Sequence, residues 1–356
     1  MIIFPELPGV DINLYLLIFV GLGAGTLSGF AGVGGAFIVT PALIILGFPA
    51  NLAVGTGLTW VVGNTVIAAL RHGRLGNVDW KLGLVLLVSS MSGMEIGVRI
   101  LNWTKNIGLA DGTVLSIAIF TLLIVGSYTL VESIRRKRVL DGILRAGGKA
   151  PPAMRAPSLA RKLHSVNFPP VINFTKSGIT ISLWIILLIG FFVGILAGVI
   201  GVGGGFIMVP SLVYVVGLPS FLAVGTDLFQ IIFAASYGCI RHTMSSNVVI
   251  LAAFIMVVSS CIGVQFGVVV TRYVRGVSLR MMLGISVLLF AIGTILKLIG
   301  VLVKGWAAWT EVASIAVTFS SLGLTIIMIL ALFVMALRYR RGHSIPSWLK
   351  SLVFNE

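Results

Sequence analysis

Long apolar runs separated by short polar segments dominate the pattern of hydrophobic and polar positions along this chain. A helix needs about 20 apolar residues to cross the hydrocarbon core of a bilayer. Runs of that length lie near residues 12–30, 50–70, 81–101, 113–132, 180–200, 219–240, 248–270, 278–300 and 309–337. The pattern therefore predicts an all-α polytopic membrane protein.

Two shorter apolar runs, at 36–47 and 205–217, each follow a cluster of glycines. Each is about half the length that a crossing requires. The first long run is preceded by no lysine or arginine and is followed by no small-residue cleavage site. That run is therefore predicted to be a retained helix and not a signal peptide.

The composition agrees with the hydropathy pattern and excludes several classes of protein. Of the 356 residues, 58% are hydrophobic and 10% are charged, and the mean hydropathy is +1.12. Soluble domains carry about 25% charged residues, so a soluble chain is excluded, and the low charge also excludes a disordered one. The two cysteines, Cys239 and Cys261, lie in apolar runs, which leaves no disulfide framework.

The charge is strongly positive, with 25 lysines and arginines, 10 acidic residues and a net charge of +15. Ten of the basic residues lie in the proline-rich segment 133–177, whose one acidic residue is Asp141. Membrane proteins hold such loops on the cytoplasmic side, and this one lacks the interleaved aromatic residues that stack on bases. We predict a cytoplasmic connector and no nucleic-acid partner; a regulatory module is the alternative.

The sequence contains the same pattern twice, with equivalent residues 169 or 170 positions apart. Residues 25–38 match residues 194–207, and Ala-Val-Gly-Thr ends at both Thr56 and Thr226. A repeat this dense indicates a duplicated transporter half. The predicted organisation is a first transmembrane repeat over 12–132, the connector over 133–177, a second repeat over 178–303, an extra C-terminal span over 307–338 and a basic tail over 339–356.

The distribution of basic residues favours inverted repeats. If each short run completes a crossing, each half crosses an odd number of times, and the basic loops at 71–81, 133–177 and 272–280 all lie inside with the C-terminal tail. If the short runs re-enter without crossing, the number becomes even, and the 272–280 loop and the tail lie outside. The positive-inside rule favours the first alternative, with the N-terminus outside and the connector and C-terminus in the cytoplasm.

The glycine clusters form the first candidate binding site. They comprise Gly32, Val33, Gly34 and Gly35 in the first half and Gly201, Val202, Gly203, Gly204 and Gly205 in the second. Clustered glycines break a helix, and broken backbone at membrane depth is either buried or lines a cavity. The helix that restarts after each break offers N–H groups and the positive end of its dipole to a small anion. Close helix packing through small residues is the alternative.

Polar side chains in the next apolar run of each half are further candidates. Thr56 and Thr226 are expected either to complete the coordination of the anion or to bond back to their own helices. Asp227 lies inside an apolar run, where the equivalent residue is Gly57. An ionisable residue at such depth is costly and is a functional candidate, here for proton coupling or as the partner of a cation or a nearby arginine.

Charged residues toward the helix ends are candidates for coupling or gating. Glu95 lies inside a predicted span, although an ion pair with Arg99, four residues on, is an equally good explanation. Equivalent runs are closed in both halves by Arg71 and His72 and by Arg241 and His242. These residues are expected either to attract an anion, with histidine titrating near physiological pH, or to anchor the helix ends at the interface.

Motifs for catalysis and for cofactors are missing from the sequence. No cluster of His, Cys, Asp and Glu has metal-ligand spacing, no nucleophile is paired with a base, and no Gly-x4-Gly-Lys-Ser/Thr phosphate loop occurs. We therefore expect no enzyme activity, no ATPase, no metal and no cofactor, and the oligomeric state is left open.

The repeated pattern resembles the TauE/SafE family of sulfite exporters over residues 12–303. The resemblance rests on Gly-x-Leu-Ser-Gly-x-x-Gly-Val-Gly-Gly from Gly25, then a proline, Gly-x-Pro, Ala-Val-Gly-Thr and a histidine closing the next helix. Asn77-Val78-Asp79 strengthens it, whereas the second half has Val249 in place of the aspartate. The resemblance implies a secondary transporter of the plasma membrane that exports a small anion such as sulfite, sulfoacetate or thiosulfate. A passive anion channel with the same site is the alternative.

Overall fold

The computed structural model describes residues 4–7, 12–31, 35–74, 76–145, 168–271 and 276–340. Three of the predicted site residues, Gly32, Val33 and Gly34, lie outside these ranges. So do most of the central connector, part of the 272–280 loop and the end of the C-terminal tail.

The described chain is built almost entirely from helices. The first half contains α1 (Leu14–Ala31), α2 (Ala36–Ile45), α3 (Ala50–Arg74), α4 (Trp80–Asn106) and α5 (Ala110–Arg145). A β-hairpin follows, with strands β1 (Val171–Phe174) and β2 (Ile179–Ser182). The second half contains α6 (Leu183–Ile200), α7 (Gly205–Ser211) with a π-helical turn (Leu212–Val216), α8 (Ser220–Met244), α9 (Ile250–Thr271) and α10 (Gly276–Leu302). A 3-10 turn (Lys304–Trp306) leads to α11 (Ala307–Arg340).

Seven of the described helices are long and apolar enough to cross a membrane, namely α4, α5, α6, α8, α9, α10 and α11. Large apolar side chains such as Phe120, Phe192 and Phe254 are exposed on their outer faces, where a bilayer would cover them. The prediction of an all-α polytopic membrane protein is confirmed.

Glycines bring two pairs of helices into backbone contact. α1 packs along α9, and α4 packs along α6. A Cβ atom on Gly25 would collide with the backbone of Ser260, and a Cβ atom on Gly194 would collide with the backbone of Ser90. Because these residues are equivalent in the two repeats, both pairs are built alike, and each joins a helix of one repeat to a helix of the other.

The remaining large contacts also join helices of one repeat to helices of the other. α3 packs against its equivalent α8, and α5 packs against its equivalent α10. The extra helix α11 packs mainly on α10. The protein is therefore held together by contacts between the repeats more than by contacts within either one.

The end of the segment predicted as a connector has structure of its own. β1 and β2 pair antiparallel, with Val171 opposite Ser182 and Phe174 opposite Ile179. In the turn, Ser177 donates a hydrogen bond to the Asp79 carboxylate, which lies at the start of α4. At the other end of the segment, α5 continues as far as Arg145. The division of the chain into domains stays a prediction.

Candidate functional site

The helices are interrupted at the second glycine cluster and next to Gly35, which is the described residue of the first cluster. α6 ends at Ile200, the capping residue Gly201 has a φ of +76°, and Gly203 and Gly204 have φ values of +66° and +89°. In the first half Gly35 has a φ of +62° immediately before α2. Side chains other than glycine rarely adopt this left-handed conformation, which explains why glycine is present at these four described positions.

Each short helix returns to the end of the molecule where its long partner began. α6 runs in the same direction as α4, because Gly194 lies at Ser90 and Gly198 lies at Met94. The start of α4 contacts the start of α8, which follows the end of the π-helical turn by a few residues. The start of α6 and the end of α7 therefore lie together. We call α6–α7 a returning pair.

The first half forms an equivalent returning pair, α1–α2. α1 runs in the same direction as α9, because Gly25 lies at Ser260 and Gly29 lies at Val264. The start of α9 contacts the start of α3, which follows the end of α2 by a short loop. Neither of the two alternatives raised by the sequence included this arrangement, because hydropathy treats α1 as an independent crossing.

The two returning pairs meet at the breaks. Phe37 and Phe206, the equivalent residues in the first turns of α2 and α7, stack with ring centroids 4.9 Å apart and an interplanar angle of 25°. Around them lies a small apolar cavity lined by Phe37, Ala118, Thr121, Leu122, Ile200, Val202, Phe206 and Ile207. The walls near the breaks are thus largely apolar, so the polar groups available there are mainly those of the backbone.

Helix α3 packs closely on the second break. A Cβ atom on Gly201 would meet the backbone of Val54 at 2.5 Å, and one on Gly203 would meet the side chain of Val61 at 2.7 Å. Thr40 of α2 donates to the carbonyl oxygen of Gly201 at 3.5 Å. Val202, Gly203, Gly204 and Gly205 are all buried. In this conformation the second break is enclosed.

The two predicted threonine ligands make equivalent contacts between the repeats. Thr56 accepts a hydrogen bond from the backbone N–H of Val249 at 2.9 Å, and Thr226 accepts one from the N–H of Asp79 at 3.0 Å. Val249 and Asp79 are themselves equivalent, and each immediately precedes a helix. Both threonines are fully buried. Their hydroxyl oxygens satisfy backbone donors of the other repeat, and a role in binding substrate stays a prediction.

The glycine before each threonine explains why the motif is Ala-Val-Gly-Thr. A Cβ atom on Gly55 would collide with the carbonyl oxygen of Asn247, and one on Gly225 would collide with that of Asn77. We call each such contact, between a Gly-Thr pair and the Asn-Val segment of the other repeat, an inter-repeat dock. Sequence reasoning missed this pairing, although the recurrence of both motifs in both halves was a signal for it.

Asp227 is fully buried in α8. Its Oδ1 accepts a hydrogen bond from Gln230 at 3.0 Å, and the Gln230 carbonyl accepts one from Ser90 at 2.8 Å. Its Oδ2 has no hydrogen-bond partner among the described residues. An unsatisfied buried carboxylate oxygen is costly, so this group is unlike the other buried aspartate, Asp79, whose two oxygens accept from Leu82 and Ser177.

Glu95 is the centre of an ionic cluster between α4 and α8. Arg241 binds it through two hydrogen bonds of 2.7 and 2.9 Å. Arg99 donates at 2.8 Å and the Tyr237 hydroxyl at 2.7 Å. The expected pair with Arg99 is present, but the bidentate pair with Arg241 and the tyrosine were missed because they are brought in from a different helix.

His242, near the end of α8, is buried. It directly follows Arg241 of the ionic cluster in the sequence. His242 Nε2 lies 3.3 Å from the carbonyl oxygen of Gly198, and its Nδ1 has no hydrogen-bond partner within the described ranges. The equivalent Arg71 and His72 lie in α3, and their side chains are outside the described part of the chain. In the portion described, no three His, Cys, Asp or Glu side chains come together as metal ligands would.

Comparison with known proteins assigns the chain to a family of membrane proteins. The profile of the family described as "Sulfite exporter TauE/SafE" matches residues 17–294. A probable membrane transporter protein of Bacillus subtilis, YunE, is 26% identical over 286 residues, which are 78% of this chain and 95% of that protein.

Two further relatives cover somewhat less of the chain. The Bacillus subtilis probable membrane transporter protein YjnA is 26% identical over 66% of this chain and 84% of its own length. A probable membrane transporter protein of Xylella fastidiosa strain 9a5c is 25% identical over 60% of this chain and 69% of its own. No solved structure matches the chain.

Proposed function

This chain belongs to the TauE/SafE family of sulfite exporters, and on that premise we propose that it is a secondary transporter that exports a small sulfur-containing anion. Sulfite, sulfoacetate and thiosulfate are the candidate substrates, and the plasma membrane is the proposed location. The coarser statement, that the chain is a multi-pass membrane protein related to membrane transporters, rests on the family match, the relatives and the seven apolar helices.

The observation that carries the proposal is the meeting of the two breaks. Phe37 and Phe206 stack where α2 and α7 begin, so the two interruptions of the backbone adjoin each other. Transporters built from repeats bind substrate where broken helices of the two repeats meet, with helix N-terminal ends directed at anionic groups. We propose that the backbone N–H groups after the two breaks hold the anion when α3 moves away from Gly201 and Gly203.

The contacts at the two ends of α4 support inverted repeats. α4 has 27 residues and is therefore about 40 Å long. Asp79 at its start joins the inter-repeat dock of Thr226. Lys105 near its end donates to the Asn247 side chain at 2.7 Å, beside the dock of Thr56. Because Asn77 and Asn247 are equivalent and lie at opposite ends of a spanning helix, we infer that the repeats have opposite orientations.

With this orientation, the two returning pairs enter the membrane from opposite faces. Three helices of each half then cross it, which gives the odd number that the positive-inside rule favours. The hairpin that ends the basic connector contacts Asp79, so the start of α4 belongs to the cytoplasmic face. Rocking of one repeat against the other about the breaks would expose the anion to each face in turn.

Asp227 is our candidate for the coupled proton. Its Oδ2, which has no hydrogen-bond partner in the described part of the chain, and its complete burial give it a place to accept one proton without breaking the bond to Gln230. The first repeat has Gly57 at this position, so a single carboxyl group would serve the whole molecule. An ionisable group at membrane depth with no charged partner is typical of proton relays.

A flux assay in liposomes tests the proposal. The protein is reconstituted, and uptake of sulfite, thiosulfate and sulfoacetate is measured with and without an imposed pH gradient. We expect saturable flux of at least one anion that the pH gradient accelerates. We expect Asp227→Asn to abolish the acceleration and to retain exchange down an anion gradient.

Asp79→Asn is the matched control, because Asp79 is also buried but both of its oxygens are satisfied. This variant should remain fully responsive to the pH gradient. Absence of flux for all three anions would overturn the proposed substrate class, and an unaltered pH response in Asp227→Asn would overturn its coupling role. Electrogenic flux that does not saturate and ignores the pH gradient would identify the passive channel instead.

A further inference from the structure

A cluster of aromatic and basic side chains lies where α5, α7 and α10 come together, away from the breaks. At its centre is Tyr214, in the π-helical turn that ends α7, with 4% of its surface exposed. Tyr128 of α5 packs edge-on against it, with ring centroids 4.9 Å apart at 79°. π-Helical turns recur at functional positions in helices. The side chains that contact Tyr214 are therefore candidates for a functional site.

Two arginines from different helices converge on Tyr214. The guanidinium carbon of Arg136 lies over the ring, 5.6 Å from its centroid. Arg280 of α10 donates to the Tyr214 hydroxyl at 3.4 Å. Glu132 binds Arg136 at 2.8 Å, which fixes the direction of its guanidinium along α5. Arg136 is therefore oriented by Glu132 and Tyr214, and Arg280 contacts the same tyrosine.

The charge around this cluster is mostly positive. Glu132 is accompanied on α5 by Arg135, Arg136, Lys137 and Arg138, all exposed or partly exposed. Arg280 adds another positive charge from α10. α10 also begins close by, at Gly276, and the positive end of its dipole adds to the local potential. An anion is the ligand that this potential favours.

The cluster lies at the level of the membrane surface. The apolar run at 113–132 ends four residues before Arg136, and Arg280 lies in the second turn of α10, so both arginines lie near the ends of the apolar stretches of their helices. Tyr128 and Val131 on the outer side of α5 are about half exposed, at 44% and 50%, where acyl chains would cover them. Tyrosine and arginine at this depth are typical of the lipid headgroup region.

We propose that this cluster binds the phosphate group of an anionic phospholipid, with Arg136 and Arg280 as its ligands. One planar guanidinium group can donate to two phosphate oxygens at once. Basic pockets between membrane helices bind anionic headgroups. The equivalent of Tyr214 in the first repeat is an isoleucine, at 44 or 45, so the tyrosine at the centre of the site is present in the second repeat alone. A lipid held here would brace the returning end of the α6–α7 pair. The inference is independent of the transported substrate.

Binding of short-chain phosphatidylglycerol to the full-length protein in detergent, followed by native mass spectrometry, tests the site. Dioctanoyl-phosphatidylglycerol is the probe, dioctanoyl-phosphatidylcholine is the zwitterionic comparison with no net charge, and inorganic phosphate is the competitor. Each basic contact to an anionic surface contributes roughly 1 kcal/mol. We therefore expect Arg136→Gln and Arg280→Gln each to weaken phosphatidylglycerol binding by about fivefold.

Lys297→Gln is the matched control, because it removes one positive charge from α10 near its other end, where Lys297 lies 4.0 Å from Glu311. It should leave binding unchanged. Tyr214→Phe removes only the hydroxyl that accepts from Arg280 and should weaken binding less than either arginine variant. If either arginine variant fails to fold, Tyr214→Phe carries the test.

Three results would overturn the proposal. The first is equal phosphatidylglycerol binding in the wild-type protein and in whichever of these site variants fold. The second is equal binding of phosphatidylcholine, which would show that charge is not recognised. The third is complete displacement by inorganic phosphate at the concentration of the lipid, which would identify a site for free phosphate instead.

Discussion

The two repeats share their backbone contacts but differ in their charges. Both have a glycine break, a returning pair and an inter-repeat dock. At the position after the docking threonine, however, the first repeat has Gly57 and the second has Asp227. At the start of the next helix the order is reversed, with Asp79 in the first repeat and Val249 in the second.

The ionic cluster also has its carboxylate in one repeat and not in the other. Glu95 gathers Arg241, Arg99 and Tyr237, whereas the residue equivalent to Glu95 is Gln265. The comparison teaches that duplication preserved what the fold needs in two copies, which is close backbone approach and satisfied helix ends. The carboxylates Asp79, Glu95 and Asp227 each occur in one repeat only, and an acidic residue within a membrane span is a marker of function.

The strongest test of the contacts that both repeats share is to add a methyl group to the glycine of each inter-repeat dock. In Gly55→Ala or Gly225→Ala, the new Cβ atom would overlap a backbone carbonyl oxygen of the other repeat, which cannot move without shifting a helix. We expect both variants to lose most of the folded protein, seen as loss of a monodisperse peak in size-exclusion chromatography. Gly112→Ala is the control, because its Cβ would meet nothing within 4 Å.

A large difference between the two dock variants would contradict equal use of the docks. If Gly55→Ala folds normally while Gly225→Ala does not, the dock at the start of α4 alone holds the repeats together. In Gly112→Ala, by contrast, a helical glycine becomes alanine, and we expect stability to be retained or to rise by up to about 1 kcal/mol.

A smaller effect is expected when the docking hydroxyl groups are removed. Thr56→Val leaves the buried N–H of Val249 without its acceptor, and Thr226→Val does the same to Asp79. Each should cost about 1–3 kcal/mol, the usual cost of an unsatisfied buried donor. We expect Thr56→Val to lower the free energy of unfolding more than Thr226→Val. The start of α4 keeps the hydrogen bond from the Leu82 N–H to the Asp79 side chain, whereas the residue before α9 is a valine, which cannot accept such a bond.

Thermal unfolding of the purified variants, followed by tryptophan fluorescence, measures this difference. Thr243→Val is the control, because Thr243 is exposed and bonds back to Cys239 in its own helix. A raised KM for the transported anion with an unchanged melting temperature would instead favour the role in substrate binding that the sequence predicts for Thr56 and Thr226.

The smallest effect concerns the ionic cluster. Arg241→Gln removes a bidentate pair that joins α4 to α8, and we expect the melting temperature to fall by a few degrees. Arg99→Gln removes an exposed pair between residues four apart on one helix, which is worth about 0.3–0.5 kcal/mol. Equal melting temperatures for the two variants would contradict a structural role for the contact between helices.

The sequence alone was sufficient for the elements with a local cause. A predicted run at 81–101 corresponds to α4 at Trp80–Asn106, and the short runs correspond to α2 and to α7 with its π-helical turn. The glycine breaks were also predictable, because the left-handed backbone at Gly35, Gly201 and Gly204 selects the residue type directly.

The hairpin between the repeats was not predicted. Its strands, Val171–Phe174 and Ile179–Ser182, have four residues each and lie at the edge of a basic, proline-rich segment whose composition dominates any pattern. Burial of Phe174 and Ile181 against the membrane helices makes it stable, and that partner surface does not exist until the helices have assembled.

What the sequence determined by itself is the set of spans, the duplication, the broken helices and the list of residues too polar for their surroundings. Composition and periodicity record these because each depends on a residue and its near neighbours. The tertiary structure decided which residues meet: α1 with α2 as a returning pair, Thr56 with Val249, Arg241 with Glu95, and Phe37 with Phe206. Those contacts join residues up to about 190 positions apart, and their energies depend on distances that come into being only when the two repeats pack together.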